Sequence, residues 1–153
     1  MSNFKLLILI VCSMCHFTAC AKGLDEPKEE EKPKEKATMK ISVTSNGKIT
    51  VFELNDSEAA KGLYNQLSMN IAVEDYGGIE KIFYPPKKLN TENVPLVRSA
   101  KVGTLAYYAP WSNVVMFYGN FGSASGLYEL GFAVSGGENI KYMSGTIQVK
   151  QYE

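Results

Sequence analysis

The chain has 153 residues with 16 Lys and Arg against 16 Asp and Glu, so it lacks the basic excess of an electrostatic nucleic-acid binder. All three cysteines (Cys12, Cys15, Cys20) and the single histidine (His16) lie in the first twenty residues. If that segment is removed by processing, the remainder lacks the parts of a Ser-His-Asp triad, a Cys nucleophile, a His-ligated metal site or a disulfide; no catalytic residue, metal or cofactor is assigned.

Residues 1–19 read as a signal peptide. Lys5 supplies a positive start, and Leu6 to Cys12 open an apolar run reaching about Cys15. That run is shorter than the about 20 residues a bilayer span needs. It ends in Phe17-Thr18-Ala19-Cys20, which resembles the lipobox of bacterial lipoproteins, with Phe17 where Leu is usual. The resemblance implies that Cys20 becomes the acylated first residue; the alternative is an ordinary cleaved signal with Cys20 incidental. Residues 20–37 then form a linker. From 21 to 37 there are six acids, five lysines, Pro27, Pro33 and no aromatic residue. Such a composition cannot bury enough surface to offset its ordering entropy. As a coil it spans about 20–25 Å, and fully extended roughly 60 Å. The expected setting is a lipid anchor in a cell membrane or outer membrane, with residues 38–153 exposed outside the cytoplasm.

Residues 38–153 hold ten basic and ten acidic residues and no cysteine, so the stability of this domain must come from packing. Met39, Ile41 and Val43 alternate with polar residues, and Asn46-Gly47 is a strong hairpin signal. A second strand follows over 48–54. Asn55, Asp56 or Ser57 caps a helix, with Asn55 and Glu58 at capping-box spacing and Ala59, Ala60, Leu63, Tyr64 and Leu67 as its apolar stripe. Gly62 weakens this helix by about 1 kcal/mol relative to Ala, and close packing would account for it.

Further strands are predicted over 70–74 and 80–84, flanking an Asp75-Tyr76-Gly77-Gly78 turn, with Pro85-Pro86 ending the second. A long polar connection over 87–102 carries the sole arginine, Arg98. Strands over 103–108, 114–118, 127–134 and 146–152, and a turn of helix around 138–143, complete the set. Eight strands with one or two short helices make a mainly β fold, expected to close into a barrel that removes exposed edges.

Residues 76–132 contain 11 of the 17 aromatics. Neighbours such as Phe83-Tyr84 and Phe117-Tyr118 point to opposite strand faces, so Phe83, Phe117 and Phe132 are expected in the core. Tyr76, Tyr108, Trp111 and Phe121 lie beside Gly- and Pro-containing turns, where they either line a groove or pack loops down. Glu74, Asp75, Glu80 and Glu129 are nearby acids; the ordinary role for such groups is solvation or pairing with lysine, as for Lys81 beside Glu80.

Three blocks are similar to segments of the bacterial cyclophilin-like domain family: Glu74-Asp75-Tyr76-Gly77-Gly78 with Glu80-Lys81-Ile82, Tyr84 and Pro86; Leu105 through Trp111; and Phe117-Tyr118-Gly119-Asn120-Phe121-Gly122 with Gly126-Leu127 and Leu130-Gly131. The resemblance implies a closed eight-stranded barrel with helices at its ends. True cyclophilins engage a prolyl peptide with an arginine in a Phe-His-Arg type segment. The comparable segment here is Glu80 to Tyr84, with neither arginine nor histidine, and Lys81 lacks the planar donor fork. Prolyl isomerase activity is therefore expected to be absent or weak. The ligand-binding candidates are Tyr76, Glu80, Tyr84, Arg98, Tyr108, Trp111 and Phe121. Three roles remain open: a lipid-anchored module binding a peptide or small ligand, a divergent peptidyl-prolyl isomerase, or an envelope assembly protein with a protein partner.

Overall fold

The computed structural model describes residues 38–153; the signal-like run, Cys20 and the charged linker lie outside the described residues. In chain order the elements are β1 (Lys40–Ser45), β2 (Lys48–Leu54), α1 (Glu58–Tyr64), β3 (Met69–Ala72), β4 (Glu74–Tyr76), β5 (Glu80–Phe83), β6 (Thr104–Tyr108), β7 (Asn113–Phe117), β8 (Leu127–Ser135), a 3-10 helix (Gly137–Tyr142) and β9 (Thr146–Gln151). All strand pairings are antiparallel, in the order β3-β9-β1-β2-β8-β6-β7-β5-β4.

The two ends of that order are consecutive in the chain, joined by Val73 alone. A flat nine-stranded sheet would place its edges about 38 Å apart at ~4.8 Å per strand. One residue between Ala72 and Glu74 bridges at most about 7 Å. The sheet therefore rolls up until its edges meet, as a nearly closed barrel. The expected eight strands become nine because the run after Met69 does not turn at Asp75. It changes neighbours at Val73: β3 pairs with β9, and β4 pairs with β5 up to Tyr76↔Glu80. No ladder joins β3 to β4, so continuity of the chain supplies the closure.

The interior is filled by alternate strand residues, including Ile41, Val43, Phe52, Leu54, Phe83, Leu105, Tyr107, Met116, Leu130, Ile147 and Val149. Ala59, Ala60 and Leu63 of α1 and Ile140 of the 3-10 helix join this cluster. The α1 cap differs from the capping-box reading. Ser57 is the N-cap and its Oγ accepts from the Ala60 amide, while Asn55 Oδ1 accepts from Ser57 N–H and O–H instead of pairing with Glu58. Leu67 lies past the helix end. Gly62 is not a close-packing site either: a Cβ there would meet Leu89 Cδ2 at 3.6 Å, an ordinary contact.

Strand β8 carries two register shifts, which leave Leu130 and Val134 unpaired. The bulges place Phe132 opposite Glu53 and Thr104, on the outer surface. Phe132 is 40% exposed, contrary to its expected core position, and Lys101 Nζ lies 5.2 Å from its ring centroid. Between the bulges, Gly131 lets β2 approach so closely that a Cβ would fall 2.1 Å from Glu53 O.

Lys81, expected beside Glu80, turns to the other face of β5. Its side chain is 9% exposed, and Nζ lies 2.6 Å from Asp75 Oδ2 across the β4–β5 pair. Tyr118 O–H also donates to Asp75, at 2.9–3.0 Å. The hydrogen bond from Lys81 holds the Asp75 carboxyl below its usual range, over the opposing effect of desolvation, and bonds from Tyr118 and the Gly78 backbone add to it. This network pins the last strand to the barrel.

Two pairs of substitutions and one acid titration test this packing. Gly131→Ala should cost more than about 2 kcal/mol in urea denaturation, because backbone must move. Gly62→Ala should instead add about 0.5–1 kcal/mol. Asp75→Asn should cost about 2 kcal/mol by leaving a buried ammonium unpaired, and Lys81→Met less, since a half-exposed carboxylate returns to water. The lowered folded-state pKa means that the Asp75 contribution is present above about pH 3.9 and is lost as pH falls through the depressed value. A wild-type acid limb identical to that of Asp75→Asn would contradict this account.

Candidate functional site

Strands β5, β6 and β7 are buried on both faces: each reads as a nearly unbroken buried run. Inward residues belong to the barrel core. Outward Ile82, Ala106, Val115 and Phe117 form a second cluster with Val97, Ala100 and Leu127. The cover is the connection after β5, read from sequence as merely polar. It lies against the segment before β8 through an Ala100↔Phe121 bridge and against the start of β8 through a Leu96↔Tyr128 bridge, with Val97 N donating to Leu127 O at 2.9 Å.

This cover stops short of the sheet's full width and leaves a hollow of about 390 Å³. Tyr76, Glu80, Tyr108, Asn113, Trp111 and Phe121 are among its lining residues, over a floor that includes Val115 and Phe117. The volume falls within the usual range of ligand pockets, about 300–1,000 Å³. Strand register explains the convergence. Tyr76 is opposite Glu80, Glu80 is opposite Phe117, and Asn113 is opposite Tyr108, so all face outward together. Trp111 sits on the β6–β7 turn, where its amide donates to Tyr108 O at 3.3 Å. Gly126, at φ +79°, allows the turn to settle: a Cβ there would press on Pro110 Cδ at 2.9 Å. The Trp111 ring meets Tyr76 edge-on at 5.1 Å (86°) and Tyr108 at 5.4 Å (79°). Phe121 stacks on Phe117 at 5.9 Å. Tyr76 and Trp111 are each 46% exposed.

The polar groups of the lining are few. Glu80 is half-buried and, among the described residues, its carboxylate makes no hydrogen bond or ion pair; burial pushes its pKa up. Asn113 is 1% exposed, and its side-chain Oδ1 has no hydrogen-bond partner among the described residues. Five of the seven ligand-binding candidates thus meet in one hollow. Tyr84 is exposed beyond the end of β5 and Arg98 lies on the exposed side of the covering loop; neither lines it. Asn113 was not among the candidates. Its position two residues before Val115 and four before Phe117 is the available signal, and it is hidden because the sequence predicts a strand over 114–118 where β7 begins at Asn113. Among the described residues no group of three or more His, Cys, Asp or Glu is placed to hold a metal ion.

The sequence model of the family described as the cyclophilin-like family matches residues 43–151. Among solved structures the fold is similar to the solution structure of the hypothetical protein AF2241 from Archaeoglobus fulgidus, at 18% identity and a TM-score of 0.58, covering 75% of this chain and 95% of that one. At that identity the likeness is one of fold. No curated protein matches the chain.

The raised Glu80 pKa sets a sign for stability. The protonated form is favoured in the fold, so its contribution is full below about pH 4.3 and is lost as pH rises through the folded-state value. Glu80→Gln should therefore raise Tm at pH 7, with the gain shrinking toward pH 4. A Tm difference independent of pH would contradict it.

Proposed function

The chain belongs to the cyclophilin-like family, and on that footing we propose that its barrel is a binding module whose outer hollow takes an apolar group of a peptide or small ligand. The observation that carries this reading is the set of large rings arranged around an open volume and left part-exposed: Tyr76, Trp111 and Phe121 are 46%, 46% and 39% exposed. Contiguous exposed apolar surface on a small soluble domain marks an interaction site. Aromatic rings supply large contact area with little conformational entropy to lose. The lining supplies no guanidinium, since Arg98 stands outside it. This favours recognition over prolyl isomerisation, and a protease-coupled assay should show turnover at the uncatalysed rate.

We further propose that Cys20 carries a lipid and that the linker over 20–37 holds the module outside the cytoplasm, clear of the bilayer surface. The lipobox-like Phe17-Thr18-Ala19-Cys20 and the charged run that follows support this reading. Partition of the wild type into a detergent phase, abolished by Cys20→Ser, is the expected result.

Trp111 is the only tryptophan, so its emission reports on the hollow directly. Titration with 1-hexanol or N-acetyl-leucine amide should shift that emission and the amide resonances of β5 and β7. Trp111→Ala should weaken binding about fivefold by NMR, from the loss of a ring contact worth roughly 0.5–1.5 kcal/mol, while Tm changes little because the ring is half-exposed. Unchanged binding, or a variant that unfolds, would assign the rings a structural role instead.

A further inference from the structure

Two groups in the hollow are left unsatisfied among the described residues, and they have one chemical character. Glu80 contributes a carboxylate with no counter-ion among the described residues, because Lys81, its chain neighbour, is on the other face of β5 and taken by Asp75. Asn113 contributes a buried acceptor with no donor among the described residues. Both lie on the outward face of the β5–β7 pair. Glu80 is opposite Phe117, so the two sites lie about 13 Å apart along the strand at ~3.3 Å per residue. Between and above them stand rings at near right angles, Trp111 against Tyr76 and Trp111 against Tyr108, forming adjacent aromatic walls. Among the described residues, no lysine or arginine lines the hollow.

An anion, an orphan acceptor and perpendicular aromatic walls select one kind of guest. An anionic ligand would be repelled by Glu80 and offered no donor by Asn113. A purely apolar ligand would bury the carboxylate unpaired, which is costly. A ligand with an ammonium group at one end of an apolar body and a second N–H at the other satisfies every wall: its charge meets the carboxylate and the ring faces, its far N–H supplies a donor to Asn113, and its hydrocarbon covers Val115 and Phe117. We propose that the hollow is an ammonium-binding site, with Glu80 and the Tyr76–Trp111–Tyr108 rings holding the cation and Asn113 Oδ1 accepting a donor from the same ligand. This rests on the reading of the hollow as a binding site and adds the class of ligand. The ammonium can belong to a lysine side chain of a peptide or to a free amine.

The test compares isosteres of equal apolar size on the full domain, followed by Trp111 emission and by NMR: n-hexylammonium, 1-hexanol and hexanoate at pH 7. The expected order is hexylammonium tightest, by about tenfold over hexanol, with hexanoate weakest. Glu80→Gln should bring the ammonium and alcohol affinities within about twofold of each other. Asn113→Leu, which removes the buried orphan, should raise Tm and weaken binding of N-acetyl-lysine amide, whose amide N–H lies at the far end from its ammonium, while leaving that of hexylammonium, with donors at one end only, unchanged; it keeps the test decisive if Glu80→Gln folds poorly. N-acetyl-lysine amide binding more tightly than hexylammonium would point to a peptide side chain, and the reverse to a free amine; either order supports the ammonium site. Equal binding of all three isosteres, or tightest binding of hexanoate, would overturn the ammonium inference while leaving an apolar binding hollow. No binding of any of them would overturn both readings.

Discussion

The architecture depends on a covalent constraint at Val73. The residues on either side of it belong to opposite edges of a nine-stranded sheet, so a short peptide link forces those edges together. Closure divides the sheet into an inside and an outside. It also removes most of the free edge that would otherwise invite pairing with another chain. What remains at the β4 edge is tied down by Asp75, which holds Lys81 and Tyr118 at once. Val73 itself is buried and donates to Gly145 O, so the link is part of the packed wall.

Rolling the sheet would normally leave its outer face to water. Here β5, β6 and β7 are hydrophobic on both faces, and the connection from Pro85 to Val102 must fold back across them. That cover is incomplete, and the hollow is the part of the doubly apolar sheet that remains uncovered. Among the described residues, the site is thus the part of a two-sided sheet that the 85–102 connection does not reach. The rings at its rim are fixed by ordinary strand register and one turn, which places them on rigid elements.

The polar atoms in the hollow run against stability. A carboxylate half out of water and a buried amide oxygen without a donor are both unfavourable in the empty domain. An apolar residue at either place would pack better. Proteins commonly accept such losses where a ligand supplies the missing partner. The contrast with Lys81 is instructive: it is more buried than Glu80, yet it is paired with the Asp75 carboxylate.

Period-two alternation, Asn46-Gly47 and the Pro85-Pro86 stop located strands β1, β2 and β5 in the sequence, because each rests on short-range geometry. The family-like blocks from Glu74 to Gly131 pointed to a barrel and to the aromatic residues that now meet in the hollow. The switch of neighbours at Val73 was not readable, since alternation looks the same whichever strand lies alongside. Nor was the outward turn of Phe132, because a bulge changes the facing of a residue without changing its neighbours in the chain. Asn113 and Glu80 were ordinary polar residues until tertiary contacts withheld their partners. Residue types and local periods thus determined on their own that this chain makes strands rich in aromatics. Which ring faces water, which carboxylate lacks a cation and where the wall stays open were decided only by folding, because those properties belong to pairs of residues far apart in the chain.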